Sequence, residues 1–269
     1  PRGSGNWVEV RQRTLRADSP EAALLGGQAL KPEKSKNLSL GFVWKPIERG
    51  SITLDAYQID IDKRITLSDQ LGADIVGPVF AGTPYDIQSA AFYTNVADTR
   101  TRGIELTGQY LWELEKFGRI NLTGGFSKTR TKITDLRDVG SIQGSQIIGR
   151  NTQGLIEDGT PENKLVLGAN WQYGNWSVTV AQRRYGEWKS RNATNAALDQ
   201  TFSPQWVTDI DAAYTFNKKL RVSIGAINLF DSHPDKLEGQ QLYGVLKYSI
   251  TSPEGAQGAF YYVNLSYDL

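Results

Sequence analysis

Residues 165–180 read Leu165-Val166-Leu167-Gly168-Ala169-Asn170-Trp171-Gln172-Tyr173, then Gly174-Asn175, then Trp176-Ser177-Val178-Thr179-Val180. In the first run Leu165, Leu167, Ala169, Trp171 and Tyr173 alternate with Val166, Gly168, Asn170 and Gln172. In the second, Trp176, Val178 and Val180 alternate with Ser177 and Thr179. A period of two sends successive side chains to opposite faces of a strand. The same period recurs outward in both directions. It appears at Leu38-Leu40-Phe42-Trp44, Ile104-Leu106-Gly108-Tyr110 and Ile120-Leu122-Gly124-Phe126. It appears again at Trp206 to Phe216, Leu220-Val222-Ile224-Ala226 and Tyr261 to Leu269. A further strand spans about Ser51 to Ile65, with the alternation blurred near Gln58. The reading gives about nine strands, most of roughly 9–13 residues, the length a tilted strand needs to cross a bilayer.

An antiparallel sheet with one solvated face alternates in the same way, so the connections have to discriminate. They switch strictly between short and long. Lys45–Gly50, Glu113–Gly118, Tyr173–Asn175 and Phe216–Lys219 are short; 66–95, 134–163, 187–204 and 231–257 are long. Outer-membrane barrels sort their loops this way, with short periplasmic turns and long extracellular loops. A soluble sandwich has no reason to do so, and its strands are shorter. Trp44, Tyr110, Trp112, Phe117, Trp171, Tyr173, Trp176, Tyr214, Phe216 and Tyr267 all fall at the short-turn ends. Amphipathic rings settle at headgroup level, whereas aromatics filling a sandwich core would sit mid-strand. The opposite face carries Asn37, Ser39, Glu105, Thr107, Gln109, Arg119, Asn121, Thr123, Ser177, Thr179, Arg183, Asp209, Asp211, Arg221 and Ser223. A wet or plugged lumen tolerates such groups; in a dry core each unpaired one costs about 1–3 kcal/mol.

Composition narrows the function. The chain has 269 residues, 30 Lys plus Arg against 29 Asp plus Glu, and a net charge of +1, which gives no reason to expect a nucleic-acid partner. It has no cysteine, so thiolate metal sites and disulfides are excluded. One histidine, His233, leaves little room for His-based catalysis. Mean hydropathy is −0.42, and no apolar run is long enough for a membrane-spanning helix. The odd strand count, the absence of methionine and the lack of a leader predict further strands upstream of Pro1.

Several stretches resemble the TonB-dependent outer-membrane receptors. Leu30-Lys31-Pro32-Glu33-Lys34-Ser35-Lys36-Asn37 with Leu40-Gly41 is similar to that family's "LKPEkS-N-elG" stretch. Ala56-Tyr57-Gln58-Ile59-Asp60-Ile61-Asp62-Lys63-Arg64-Ile65 resembles the strand that follows it. Asn95-Val96-Ala97 with Thr101-Arg102-Gly103-Ile104-Glu105-Leu106 resembles "N-a…trGvEl". Pro161-Glu162-Asn163-Lys164 resembles a strand opening, and Ile227-Asn228-Leu229-Phe230-Asp231 with Pro234 resembles "v-N-L-F-D-x-x-P". The last strand resembles the family's C-terminal insertion signal, although it ends on Leu269 where the family favours Phe or Trp. The resemblance covers nearly the whole chain in order.

What the resemblance implies is an all-β, antiparallel up-and-down transmembrane barrel of about 22 strands, of which this chain is the C-terminal portion. Residues 1–36 would be an extracellular loop segment and 37–269 barrel wall, with the plug and earlier strands absent. The implied function is TonB-dependent uptake of a scarce solute such as a ferric siderophore, vitamin or oligosaccharide across the bacterial outer membrane. The implied partners are outer-membrane lipid, the missing plug and strands, and TonB acting through that plug. A passive porin-like barrel is the alternative; a secreted sandwich adhesin and a barrel enzyme are further competitors.

No catalytic constellation, cofactor or metal site is expected. His233 reads as a turn residue, and Asp209/Asp211 and Asp60/Asp62 as lumenal carboxylates facing arginines. Substrate contacts are expected on the loops and upper lumen. There Tyr85, Tyr93, Arg183, Arg184, Trp188 and Trp206, with Phe80, Phe92 and Phe202 nearby in sequence, form an aromatic-plus-arginine set suited to a siderophore or a glycan.

Overall fold

The computed structural model describes residues 11–85, 87–238 and 246–268. The first ten residues of the 1–36 segment, the middle of the last long loop and Leu269 lie outside the described residues. Nine long strands form one antiparallel series: β2 (Lys34–Ile47), β3 (Gly50–Leu67), β4 (Ser89–Glu113), β5 (Arg119–Leu136), β6 (Asn163–Tyr173), β7 (Trp176–Tyr185), β10 (Gln205–Phe216), β11 (Leu220–Ile227) and β12 (Phe260–Tyr267). They pair in chain order from β2 to β12, and the nine strands expected from periodicity are all present. A short β1 (Gln12–Leu15) adds in parallel to the start of β4, with Leu15 opposite Phe92. β8 (Trp188–Ser190) and β9 (Gln200–Phe202) form a separate two-stranded ribbon. Helices α1 (Pro20–Leu24), α2 (Ala73–Phe80), α3 (Gly144–Ile147) and α4 (Arg150–Glu157) occupy stretches whose sequence reads as loop.

Two compact units divide these elements. Unit 1 comprises Pro1–Lys36, Ile59–Arg100 and Lys132–Ile156; unit 2 comprises Asn37–Gln58, Thr101–Thr131 and Glu157–Leu269.

Unit 1 has an apolar interior. Leu15, Ala22, Leu25, Leu71, Val76, Phe80, Ala90, Phe92, Val96, Ile142, Ile147 and Ile148 pack into one buried cluster. Among the described residues, the long connections of unit 1 are therefore folded, not open loops. α1 starts on the Asp18-Ser19-Pro20 sequence: the Ser19 hydroxyl accepts from the Ala22 N–H at 3.1 Å, and Pro20 needs no donor at the first turn. Asp18, beside Arg16, is held below the usual carboxylate range by that hydrogen-bonded cation. The carboxylate of Asp69 receives the Gly149 N–H at 3.1 Å and the Thr152 hydroxyl, capping the start of α4 from a distant loop. β4 begins at Ser89, much earlier than its alternation suggests. Ala90, Ala91 and Phe92 are buried on consecutive positions, so both faces of this stretch are covered and no period-two pattern survives.

Unit 2 is organised the other way. Strand registers place Leu165, Leu167, Ala169, Trp171 and Tyr173 of β6 opposite even-numbered residues of β7, which in turn face Trp206, Thr208, Ile210, Ala212 and Tyr214 of β10. Ile224, Val263 and Leu265 continue this apolar face on β11 and β12. Its side chains are exposed: Leu38, Leu40, Phe42, Ile104, Leu106, Ile224, Val263 and Leu265 each stand more than two-fifths open. The opposite face carries Asn170, Thr179, Arg183, Asp209, Asp211 and Ser223.

Candidate functional site

The polar face of unit 2 is tied together by its own charges. The Arg183 guanidinium binds the Asp209 carboxylate and lies 3.0 Å from Glu254, which the Tyr185 hydroxyl also reaches at 2.5 Å. Asp209 further accepts the Asn228 N–H at 2.9 Å. Asp211 accepts from the Tyr262 hydroxyl at 2.9 Å and sits 3.8 Å from Arg221. Both aspartates thus face arginines, as expected of lumenal carboxylates, and Asp60 meets Arg100 at 2.5 Å. Among the described residues no group of three or more His, Asp or Glu converges as a metal centre. His233 lies 2.8 Å from the Asp231 carbonyl and stacks on Tyr248, within a turn locked by reciprocal Asn228–Ser232 hydrogen bonds. Asn228 and Asp231 both take φ of +53°, a left-handed geometry that Asn and Asp adopt more readily than bulkier side chains.

In unit 1 a side-chain clamp surrounds Lys63, which has φ of +57° inside β3. Its N–H goes to Asp98 at 2.7 Å and its carbonyl to the Asn95 amide at 2.7 Å. Asn95 also exchanges two hydrogen bonds with the Lys31 backbone, each 2.8 Å. Glu33 accepts the Ile65 N–H at 2.6 Å. These side chains satisfy backbone groups that the interrupted ladder leaves over. Exposed positions along β3 switch from even before Lys63 to odd after it, which explains the blurred alternation read there. Beside the clamp lies a cavity of about 210 Å³ lined by Gly26, Lys31, Asn95, Arg137, Asp138 and Gly140 among others. Gly26 and Gly140 pass so closely that a Cβ on Gly26 would lie 2.7 Å from the Gly140 nitrogen, and both have positive φ.

Of the six expected substrate contacts, Tyr85 and Tyr93 belong to unit 1 and the other four to unit 2, where they do not share one face. Arg183 belongs to the polar face. Arg184 is on the apolar face, bonded to Asn163 at 2.8 Å and lying 5.9 Å from the Trp206 ring. Consecutive strand residues point to opposite faces, so Arg183 and Arg184 do not share one. Trp206 is about half exposed on that same apolar face, away from Arg183. Trp188 is buried, stacked on the fully buried Phe202 at 4.9 Å, and packs the β8–β9 ribbon. Near it Arg191 binds Glu157 and Asp158; burial works against its charge, but the two carboxylates prevail and hold it above the ordinary arginine value. In unit 1 Phe80 and Phe92 are core residues, Tyr85 packs edge-on to Phe80 at 6.0 Å, and Tyr93 is about half exposed.

The family profile "TonB dependent receptor-like, beta-barrel" matches residues 6–229. The chain belongs to the TonB-dependent receptor β-barrel family. The outer membrane transporter YddB from Escherichia coli shares its fold with a TM-score of 0.62 at 14% identity, over 88% of this chain and 33% of that one. The pyoverdine outer membrane receptor FpvA from Pseudomonas aeruginosa PAO1 follows at 0.57 and 16%, covering 90% and 31%. The copper transporter OprC gives 0.57 and 17%, covering 89% and 31%. The chain therefore spans about a third of the length of these solved structures. No curated protein matches its sequence.

Within this receptor-barrel fold, the family-like motifs have structural tasks. Tyr57 lays its ring across Gly103 on the next strand and reaches Thr129 on the strand beyond, hydroxyl to hydroxyl at 2.8 Å. Any side chain at Gly103 would overlap that ring. Tyr262 repeats the arrangement over Gly225 to reach Asp211. The expected interface aromatics Trp44, Tyr110, Trp112, Trp171, Tyr173, Trp176, Tyr214, Phe216 and Tyr267 stand at the short-turn ends of their strands. Tyr214 meets Trp176 and Phe216 edge-on, at 4.8 and 4.6 Å.

Proposed function

We propose that this chain is wall and extracellular loops of an energised outer-membrane receptor that takes up a scarce solute. Family membership supports the class. The single observation that carries the membrane reading is the face of unit 2, where Leu38 and Leu40 on β2, Ile104 and Leu106 on β4, Ile224 on β11 and Val263 on β12 are all exposed. Such a band is unfavourable in water by about 25 cal/mol per Å² of apolar surface and is at home in acyl chains. The aromatics at the short-turn ends then act as its periplasmic girdle. Residues 1–36 belong with the extracellular loops and 37–269 with the wall.

The solute is a small chelate or metal-bearing species, by analogy with the pyoverdine and copper named for two fold relatives; a vitamin or oligosaccharide is the wider class. Tyr85, Tyr93 and Arg183 remain the proposed contacts, while Arg184 and Trp206 move to the membrane edge. Energy reaches the solute from TonB through a plug, and the chain itself performs no catalysis.

The test is uptake by cells carrying or lacking the full-length gene, with iron-loaded siderophores, copper, cobalamin and oligosaccharides as probes. The proposal expects saturable uptake of one probe that collapses when the proton-motive force is discharged. Flux that persists without it, linear in concentration, would make the protein a passive channel.

A further inference from the structure

The last long loop returns a carboxylate to the polar face of unit 2. The Arg183 guanidinium gives its two terminal nitrogens to the Asp209 carboxylate. Its remaining donor, Nε–H, goes to Oε1 of Glu254 at 3.0 Å. The Tyr185 hydroxyl donates to the same oxygen at 2.5 Å. Arg183 and Tyr185 are two apart on β7 and so share a face. The Lys164 ammonium lies 4.9 Å from the centre of the Tyr185 ring and adds a second cation. Two donors that converge on one oxygen, beside two cations, form a built site for a carboxylate. Here the occupant belongs to the chain itself.

The loop has little else to keep it there. Among the described residues, no other hydrogen bond joins 249–257 to a strand. Ile250 stands exposed, and no residue of 250–257 is buried. This segment is held to the sheet by one charged contact, not by a packed core, and a second carboxylate can replace the first with no loss of hydrogen bonds. We infer that Glu254 is a built-in stand-in for a carboxylate of the solute. A solute carboxylate takes the Arg183 and Tyr185 donors, the loop is released, and Glu254 sets how strongly a solute must bind to displace it. The inference rests on the uptake reading proposed above, and it adds the chemical class of the solute and its internal competitor.

The test uses the full-length protein, purified in mild detergent, with a nitroxide spin label on Ala256→Cys. Tricarballylate, a tricarboxylate, is the probe, and its neutral triamide is the control. Protein with the native Glu254 should bind tricarballylate saturably but not the triamide, and binding should raise the mobility of the label. Glu254→Gln removes the competing charge. Its label should be mobile without probe, and tricarballylate should bind about tenfold more tightly, the worth of one hydrogen bond to a charged group. Adding Tyr185→Phe to Glu254→Gln should reverse most of that gain. Glu238→Gln, elsewhere on the same loop, should change neither readout. Heat-modifiable migration on gels reports that each variant is a folded barrel. A folded Glu254→Gln variant with unchanged label mobility or unchanged affinity would overturn the stand-in. Equal binding of acid and triamide, or no binding of tricarballylate to either form, would overturn it too. Cellular uptake that persists without the proton-motive force would overturn the transport reading instead, and the binding and mobility results on purified protein would still decide the site.

Discussion

Leu71 and Phe92 in unit 1 are 2% and 0% exposed, whereas Leu40 and Phe42 in unit 2 are 78% and 62% exposed. The same residue types are sorted in opposite senses within one chain. Unit 1 obeys the rule for a water-soluble body, with apolar groups inside. Unit 2 has a two-faced sheet whose apolar side lies open and whose polar side is hydrogen-bonded to itself. The difference teaches that solvent, not residue type, sets the burial pattern. One solvent is water, and the other is proposed to be lipid.

This contrast can be broken most forcefully from inside unit 1. Phe92→Ala opens a cavity in a packed core and should destabilise unit 1 by about 3–5 kcal/mol. Hydrogen exchange should show faster exchange across 68–97, while Phe42→Ala should leave those amides unchanged. A charge in unit 2 comes next. Leu106→Arg on the apolar face should cost about 2–4 kcal/mol for folding into vesicles, but little for a face in water. Equal folding yields for Leu106→Arg and wild type would count against lipid contact.

Smaller effects sharpen the internal architecture. Gly103→Ala forces the Tyr57 ring off its neighbour strand and should cost about 1–3 kcal/mol by overpacking. Combined with Tyr57→Ala, the penalty should fall well short of the sum, which a double-mutant cycle in urea would measure. Asn95→Ala removes three hydrogen bonds that water can partly replace, so a loss of roughly 1–2 kcal/mol is expected, seen as enhanced proteolysis near Lys31 and Lys63. Smallest is Glu113→Gln, which breaks the exposed pair with Arg49 at 2.5 Å. It should cost about 0.2–1 kcal/mol and vanish in high salt.

Much of unit 2 was legible in the sequence because each of its strands has one apolar face, and period two records that asymmetry. The start of β4 was not legible, because Ala90, Ala91 and Phe92 are covered on both sides. The helices of unit 1 are short, and their apolar residues meet partners far away in sequence, such as Ile147 with the 68–97 region, so no local period announces them. The site fared unevenly. That Arg183 and Arg184 diverge was readable from their adjacency alone. The burial of Trp188 against Phe202 depends on the β8–β9 ribbon, which three-residue strands do not signal. Asn95 was visible only as part of a motif; its task follows from the positive φ of Lys63.

The most direct measurement exploits the absence of cysteine from this chain. Single cysteines are placed one at a time at Ile104, Glu105, Leu106, Thr107, Gly108 and Gln109 of the full-length protein in lipid vesicles. Each is tested for reaction with a water-soluble maleimide and, once labelled with a fluorophore, for quenching by nitroxide on the acyl chains. The account predicts strict alternation, with positions 104, 106 and 108 quenched by lipid and slow in water, and 105, 107 and 109 the reverse. Uniform reaction with the aqueous reagent at all six positions, without lipid quenching, would contradict it.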